Sequence, residues 1–569
     1  MNDIRRTILW VIFGISMVLL WDQWQVYNGH KATFFPSPTS TAAANPKTAA
    51  SSVPPAAALA NATTPGVPAT GAALQTTSEA KVATAPKERV VVSTDVLKLT
   101  FDTEGGSLVQ SEFVKYADMS SKEKSFVLLD DSKERTYLAQ SGLIAGASGG
   151  TFPTHKTVMN LVPGERSLKD GGKELLVRFE SPEVGGVKLI KSFTLTRGSY
   201  AVAVKHEVVN LGAVAVSPEL YFQLVRDGNK PQGESSFYST FTGPVVYTEA
   251  KKYQKVEFTD IEKNKVDIEK TAENGYVAMV QHYFASAWLL GEGIKRDLFM
   301  RKIDSNLYAV GMITAVGSVA PASSRVVEAR FFAGPQEEKA LESLAPGLEL
   351  VKDYGWLTIL AKPLYWLLDK LQSFIGNWGW SIMALVLLLK IAFYWLNAKA
   401  YASMAKMKAI NPKITEMRER LKENQQQMQQ EMMRIYREEK VNPMGGCFPI
   451  MIQIPVFIAL YWVLLSSVEM RNAPWVMWIH DLSSPDPYYI LPIVMTLTTV
   501  LQTALNPAPP DPMQAKMMWF MPLAFSVMFF FFPAGLVLYW ITNNILSIAQ
   551  QWVINTRMGV PPQFNLPKF

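Results

Sequence analysis

Cysteine is almost absent from this chain: Cys447 stands alone in 569 residues, beside only five histidines. That scarcity excludes a disulfide framework and a Cys-rich metal site, and Cys447 reads as a small buried residue. Charge of one sign is scarce too, since a net +6 leaves no electrostatic footprint for nucleic acid. No acid pair, nucleophile elbow or metal-ligand spacing appears between residues 89 and 335, so that half offers no visible seat for catalysis. What is plentiful is apolar surface. A hydrophobic content of 49% with 15 Trp suits a chain that is partly membrane and partly folded outside it.

Composition changes sharply along the chain. Arg5 and Arg6 precede an apolar stretch over 7–24 that carries Trp10, Trp21 and Trp24 as interface anchors. No small-residue cleavage site follows directly, so residues 1–30 read as an uncleaved transmembrane anchor with a cytoplasmic tip. Residues 31–88 are Ala, Pro, Thr and Ser with few large apolar side chains, a disordered tether that cannot bury a core. From Arg89 onward, short alternating runs broken by Gly, Asp and Asn predict an antiparallel sandwich or barrel. Glu104-Gly105-Gly106 is one of its turns. Tyr200, Val202, Val204, His206 and Val208 share a strand face, where His206 reads as a satisfied core histidine rather than a catalyst. A helical exit segment closes this domain at about residue 350.

Residues 351–375 place Ile359, Leu360, Leu364, Leu367, Leu368 and Leu371 at helical spacing opposite Lys362, Asp369 and Lys370, as expected of a helix lying in the membrane interface. The run over 376–398 then has about the twenty apolar residues that cross a hydrocarbon layer, with Lys390 inside it. Lys390 precedes Asn397 by seven residues, roughly 10 Å at 1.5 Å per residue. A cation at mid-span costs about 2.5 to 3.5 kcal/mol on insertion scales. Two readings stand: a lysine snorkelling from an ordinary span, or a lysine facing a wet cavity.

Residues 399–446 predict a helical hairpin. Between Lys399 and Lys440 ten Lys and Arg outnumber six Glu, which marks the cytoplasmic side. Met404, Met407, Ile410, Ile414, Met417 and Leu421 form one stripe, and Met428, Met432, Ile435 and Tyr436 another. They suit packing within the hairpin, and Met also suits contact with varied apolar ligands. Residues 447–553 hold the remaining spans, with Pro455 inside the first, and 554–569 form a short tail. In the last span Tyr539, Asn543, Ser547 and Gln550 share one face, lining a groove or bonding to neighbouring helices; Gln453 could join either role. Met517, Phe520, Met521, Phe525 and Met528 make an adaptable apolar wall on which a substrate helix could slide.

Several runs together resemble the YidC/Oxa/Alb family of membrane protein insertases in its Gram-negative bacterial form. They are Val441-Asn-Pro-Met-Gly-Gly-Cys-Phe-Pro449, Trp478-Ile-His-Asp-Leu482, Asp486-Pro-Tyr-Tyr-Ile-Leu-Pro492 and Phe532-Pro-Ala-Gly-Leu-Val-Leu-Tyr539. The shorter Ser403-Met-Ala-Lys-Met407, Met417-Arg-Glu-Arg-Leu421 and Gln430-Glu-Met-Met433 join them. The resemblance covers about 350–558, with anchor, tether and β domain in the family's order.

What the resemblance implies is an α-helical membrane protein: an N-terminal anchor, a five-helix insertase core, a large extracytoplasmic all-β sandwich domain and a cytoplasmic hairpin. The core would enclose a hydrophilic groove open to the cytoplasm and to lipid, carrying one cation. Lys390 stands where the family usually has arginine, and Val386 where it often has a hydroxyl; the aromatic on the last span is Trp540, beside Tyr539. Lysine keeps charge without the bidentate fork. The implied activity is that of an insertase and chaperone. It would move newly made hydrophobic segments into the bacterial inner membrane without nucleotide hydrolysis, alone or with the Sec translocon. No cofactor is implied. Implied partners are nascent membrane proteins, the ribosome, the Sec translocon, the signal-recognition particle with its receptor, and the lipid bilayer. The chain would be multi-pass, with both termini cytoplasmic and the large domain periplasmic. Two rivals remain, a small-anion transporter using Lys390 and a sugar-processing enzyme built on the β domain.

If charge is what Lys390 supplies, Lys390→Arg retains insertion of an acidic-tailed single-span substrate and Lys390→Ala impairs it. Equal protease protection of the translocated tail in the Ala variant and the parent would remove the electrostatic role.

Overall fold

The computed structural model describes residues 87–118, 121, 123–146, 149–231, 240–421, 424–439, 448–506, 512–559 and 564. The anchor expected over 1–30, nearly all of the tether and Cys447 lie outside the described residues. Two compact units are present, Thr63–Pro507 with Pro522–Phe569, and Met1–Ala62 with Ala508–Met521.

Period-two burial builds the first half. Strand Ala201–Asn210 buries Val202, Val204, His206, Val208 and Asn210 and turns Ala203 and Lys205 outward. It pairs antiparallel with Val187–Thr196 and Ser324–Pro335. Among the described residues the strands from Arg89 to Pro335 form one ten-stranded and one nine-stranded sheet. Side chains of the two sheets meet face to face: Phe101 lies 4.7 Å from Phe193 and Phe222 lies 5.1 Å from Trp288, centroid to centroid. Of sandwich and barrel, this is the sandwich. The expected turn at Gly105 has φ +74°, and a Cβ there would stand 2.4 Å from the His155 carbonyl oxygen, so only glycine fits.

The core of the sandwich buries a lysine that carbonyls, rather than an acid, satisfy. Lys191 is fully buried opposite His206 and donates to the carbonyls of Gly105 (2.6 Å) and Ser141 (2.7 Å). Burial lowers its ammonium to about 7. His206, fully buried, shares a 2.8 Å hydrogen bond with Ser141 Oγ, as expected of a core histidine. His155 bonds the Tyr221 hydroxyl, and His282 meets the Leu465 carbonyl at 2.9 Å. Burial pushes His155 down to about 3 and His282 to about 4, and His206 well below the usual imidazole range, with Lys191 adding to the shift at His155 and His206.

The second half is helical. A short helix, Glu338–Leu344, and a 3₁₀ turn, Leu348–Val351, lead out of the sandwich. Helix α1 (Thr358–Ile375) buries Ala361, Tyr365 and Leu368 while Ile359, Trp366 and Phe374 stay exposed, so it is apolar on two sides rather than one. Helix α2 is Trp378–Ala392 and α3 is Tyr394–Arg420. The single span expected over 376–398 is therefore broken: the two helices bend by 69° at Phe393, although no proline or glycine stands there. Lys390 consequently lies two residues from a helix end rather than well inside a span.

Helix α4 (Gln425–Glu438) folds back on α3. Ile410, Ile414 and Met417 are buried, and Met407, Met428, Met432 and Ile435 pack on them, so the Met stripes meet each other inside the hairpin. Helices α5 (Phe448–Ser466), α6 (Ile490–Leu505), α7 (Pro512–Met528) and α8 (Ala534–Arg557) complete the chain. Among the described residues no single helix is long and apolar enough to cross a membrane, but α2 with the first half of α3 meets the length and composition together.

The three histidines give the sandwich a signed pH dependence. Their folded values lie below the unfolded 6.5, so their contribution is fully present above 6.5 and is lost as pH falls toward their folded values near 4 and 3. Each such group removes at most about 1.4 kcal/mol per pH unit in that window. Hydrogen-exchange protection of Ala201–Asn210, corrected for intrinsic rate, is expected to fall between pH 7 and pH 5. Unchanged protection would contradict the assignment of neutral buried histidines.

Candidate functional site

A recess opens between α2, α3, α5 and α8, lined by Val386, Leu389, Lys390, Phe393, Leu396, Asn397, Gln453, Val456, Tyr539 and Asn543. Lys390 is the one charged residue in that lining. It is 9% exposed, and its Nζ donates to Ser547 Oγ at 2.7 Å.

That bond belongs to a row. Asn397 Nδ2 on α3 donates to Gln550 Oε1 (3.3 Å), and Gln453 Nε2 on α5 donates to Asn543 Oδ1 (3.4 Å). Donors from three helices thus converge on acceptors at positions 543, 547 and 550 of α8, one stripe by helical period. Tyr539, buried, continues the stripe toward the amino end of α8 and lines the recess. A second stripe, one residue further round, serves another purpose: Asn544 donates to Thr498 and Thr499 of α6, and Gln551 to the Leu505 carbonyl. Polar residues of the last helix therefore both line a recess and bond a neighbour, on separate faces.

Trp540 is not brought to the recess. It packs against Phe457 (4.5 Å), Phe529 (4.7 Å) and Phe525 (6.5 Å), because adjacent helix positions point about 100° apart. Of the apolar wall, Phe525 is half exposed and Met528 packs on the bundle core. Phe520 and Met521 are strongly exposed, and with Met517 they fall in the separate unit Ala508–Met521. Val386 lines the recess as an apolar side chain. Asn397 and Asn544 escaped the sequence reading. Asn397 looked like a span end, and Asn544 was hidden by its neighbour Asn543, although its seven-residue spacing to Gln551 was there to find.

Among the described residues of the sandwich, histidine and carboxylate do not converge in a cleft. His155, His206 and His282 all point into packed interior, onto hydroxyls or a carbonyl. A surface groove of the sandwich, near Lys205, Val326 and Arg330, has no histidine and one carboxylate, Glu328, among its described lining residues, and Glu328 pairs with Lys205. Among the described residues no group of His, Cys, Asp and Glu could hold a metal.

The architecture is that of a two-part protein, a β-sandwich domain followed by a bundle of apolar helices with one cation in its recess. Comparison with known proteins gives the particular family. Residues 89–367 match the family model described as YidC periplasmic domain, and 370–560 match that of the 60Kd inner membrane protein. The membrane protein insertase YidC of Ralstonia nicotianae is 56% identical over 98% of both chains, and that of Cupriavidus necator 55% over 98% of both. A solved active YidC insertase with its first transmembrane domain resolved aligns at 17% identity and a TM-score of 0.37, covering 82% of this chain and 94% of the other. The chain belongs to the YidC family of membrane protein insertases and is an inner-membrane protein with a periplasmic β-sandwich domain.

The two stripes of α8 separate by substitution. Ser547→Ala takes away the hydroxyl that holds Lys390 and is expected to slow insertion several-fold. Asn544→Ala is expected to lower the thermal midpoint, by the about 1 kcal/mol typical of a hydrogen bond, while insertion per folded molecule stays at the parent level. Insertion assays with detergent melting curves distinguish them. Identical behaviour of the two variants would contradict a division of labour.

Proposed function

We propose that this chain moves newly synthesised hydrophobic segments from the cytoplasm into the inner membrane through the Lys390 recess, acting as insertase and chaperone without nucleotide hydrolysis. One observation carries the reading: among the described residues the only charge lining the recess is held by a neutral hydroxyl, and no acid lines it to neutralise that charge. A carboxylate of an incoming polar tail is the partner it lacks. At 4 Å and an effective dielectric near 20, that attraction is about 4 kcal/mol. This is comparable with the cost of carrying one charge to mid-membrane on insertion scales, about 2.5 to 3.5 kcal/mol. The amides of Asn397, Gln453 and Asn543 hydrate the remaining polar backbone, and burial of the apolar segment in lipid, at about 25 cal/mol per Å², drives the step forward.

The rest follows the residue pattern. Residues 1–30 anchor the chain, 31–88 tether the sandwich of 89–350, 351–375 lie in the outer interface, and 376–398 with 447–553 supply five core spans, with both termini cytoplasmic. The basic hairpin of 399–446 receives substrate from the ribosome or from the signal-recognition particle and its receptor, and the core works alone or beside the Sec translocon. Phe525 and Met528, with Met517, Phe520 and Met521, form the apolar slide. Because lysine is a point charge, fork geometry is not part of this mechanism.

A photo-crosslinker at Leu389 or Asn397, in the recess lining, is expected to capture a stalled nascent membrane protein. The same probe at Leu387, 46% exposed on the same helix and absent from the lining, serves as the outward control. Equal yields from both positions would sink the reading.

A further inference from the structure

We infer that Glu469 is a positioning residue for the recess, fixing from the outer side how far apart its two walls stand. This rests on the reading of the recess as the substrate path. Glu469 lies in the 3₁₀ turn Val468–Met470, directly after α5. Its carboxylate accepts two hydrogen bonds from Lys352 Nζ (3.0 and 3.1 Å) and one from the Tyr365 hydroxyl (2.6 Å). Lys352 belongs to the strap that leads out of the sandwich, and Tyr365 belongs to α1. One side chain therefore ties its own turn to two segments, each more than 100 residues earlier in the sequence.

The pair is built for fixity rather than for the surface. The Lys352 side chain has no solvent exposure and its Nζ lies 3.8 Å above the Tyr365 ring, while the Glu469 side chain is 16% exposed. An exposed ion pair contributes little, but breaking a buried one strands a charge. Among the described residues Glu469 is the one carboxylate within 4 Å of the Lys352 ammonium, with Glu338 further off. Loss of charge at Glu469 therefore obliges the strap and α1 to move until the ammonium finds water.

What moves matters because α1 packs on both α2 and α5. Ala361, Tyr365 and Leu368 of α1 share one core with Ile382 and Leu385 of α2 and Leu460 and Val463 of α5. Helix α2 brings Lys390 to the recess and α5 brings Gln453. Helix α1 is thus a brace across the outer ends of the two walls, and Glu469 pins the brace.

The test uses the full chain in lipid nanodiscs with Cys447 replaced by serine. Spin labels at Leu387 and Ile454, both exposed and outside the recess lining, report the separation of α2 and α5. Glu469→Gln is expected to shift or broaden that distance and to slow insertion several-fold, with the chain still embedded at the parent level. Tyr365→Phe, which removes a single hydroxyl, is expected to do both more weakly, and it decides the matter if Glu469→Gln does not embed. An unchanged distance in the embedded variants overturns the positioning role whatever insertion does. A changed distance with parental insertion overturns its functional importance. Parental insertion that proved indifferent to Lys390 would instead fail the recess reading itself, and the distance measurement would stand apart from that failure.

Discussion

A cation surrounded by apolar helices must be compensated locally, and most of the helical architecture follows from how Lys390 is compensated. An acid would neutralise it and leave nothing for a ligand. Full hydration would require an open channel through the bundle. The observed solution is a hydroxyl on α8, flanked by amides from two other helices, inside a recess that opens to one side. Such a row works only if α8 carries its acceptors at helical spacing and if α2, α3 and α5 each present one donor to it. The packing of four helices is thereby tied to one charge. The second polar stripe of α8 bonds it to α6, so the first stripe faces only the helices of the recess.

The sandwich solves the same problem differently. Lys191 has no acid either, yet it is saturated by carbonyls and sealed beneath Gly105, whose close approach to His155 leaves no room for a side chain. Two buried lysines thus sit at opposite ends of a scale. One is satisfied and structural, and the other is partly satisfied and accessible from a recess. The difference lies in the space around them and in what else could reach them.

How much was legible varies with the range of the interaction. Alternation from Val202 to Val208 announced a half-buried strand because side-chain direction is a two-residue property. The stripe Tyr539, Asn543, Ser547 and Gln550 was legible for the corresponding reason in a helix. The Met stripes of the hairpin were legible as mutual packing. Trp540 entered through the resemblance, as the aromatic of the last span, and it points away from the stripe because adjacent helix positions lie on different faces. The order of strands in the two sheets, such as Ala201–Asn210 between partners that begin at 187 and 324, depends on non-local pairing that no local pattern encodes. The break at Phe393 was invisible because none of the usual helix breakers marks it.

That break has an electrostatic consequence. Ending α2 at Ala392 places Lys390 in the helix's last turn, where the aligned peptide dipoles concentrate partial negative charge. A cation there gains about 0.3 to 1 kcal/mol. An unbroken span would have carried that negative end further along the chain, away from the ammonium. The bend therefore supplies diffuse negative potential from the main chain, which steadies the charge without consuming it, as a carboxylate would.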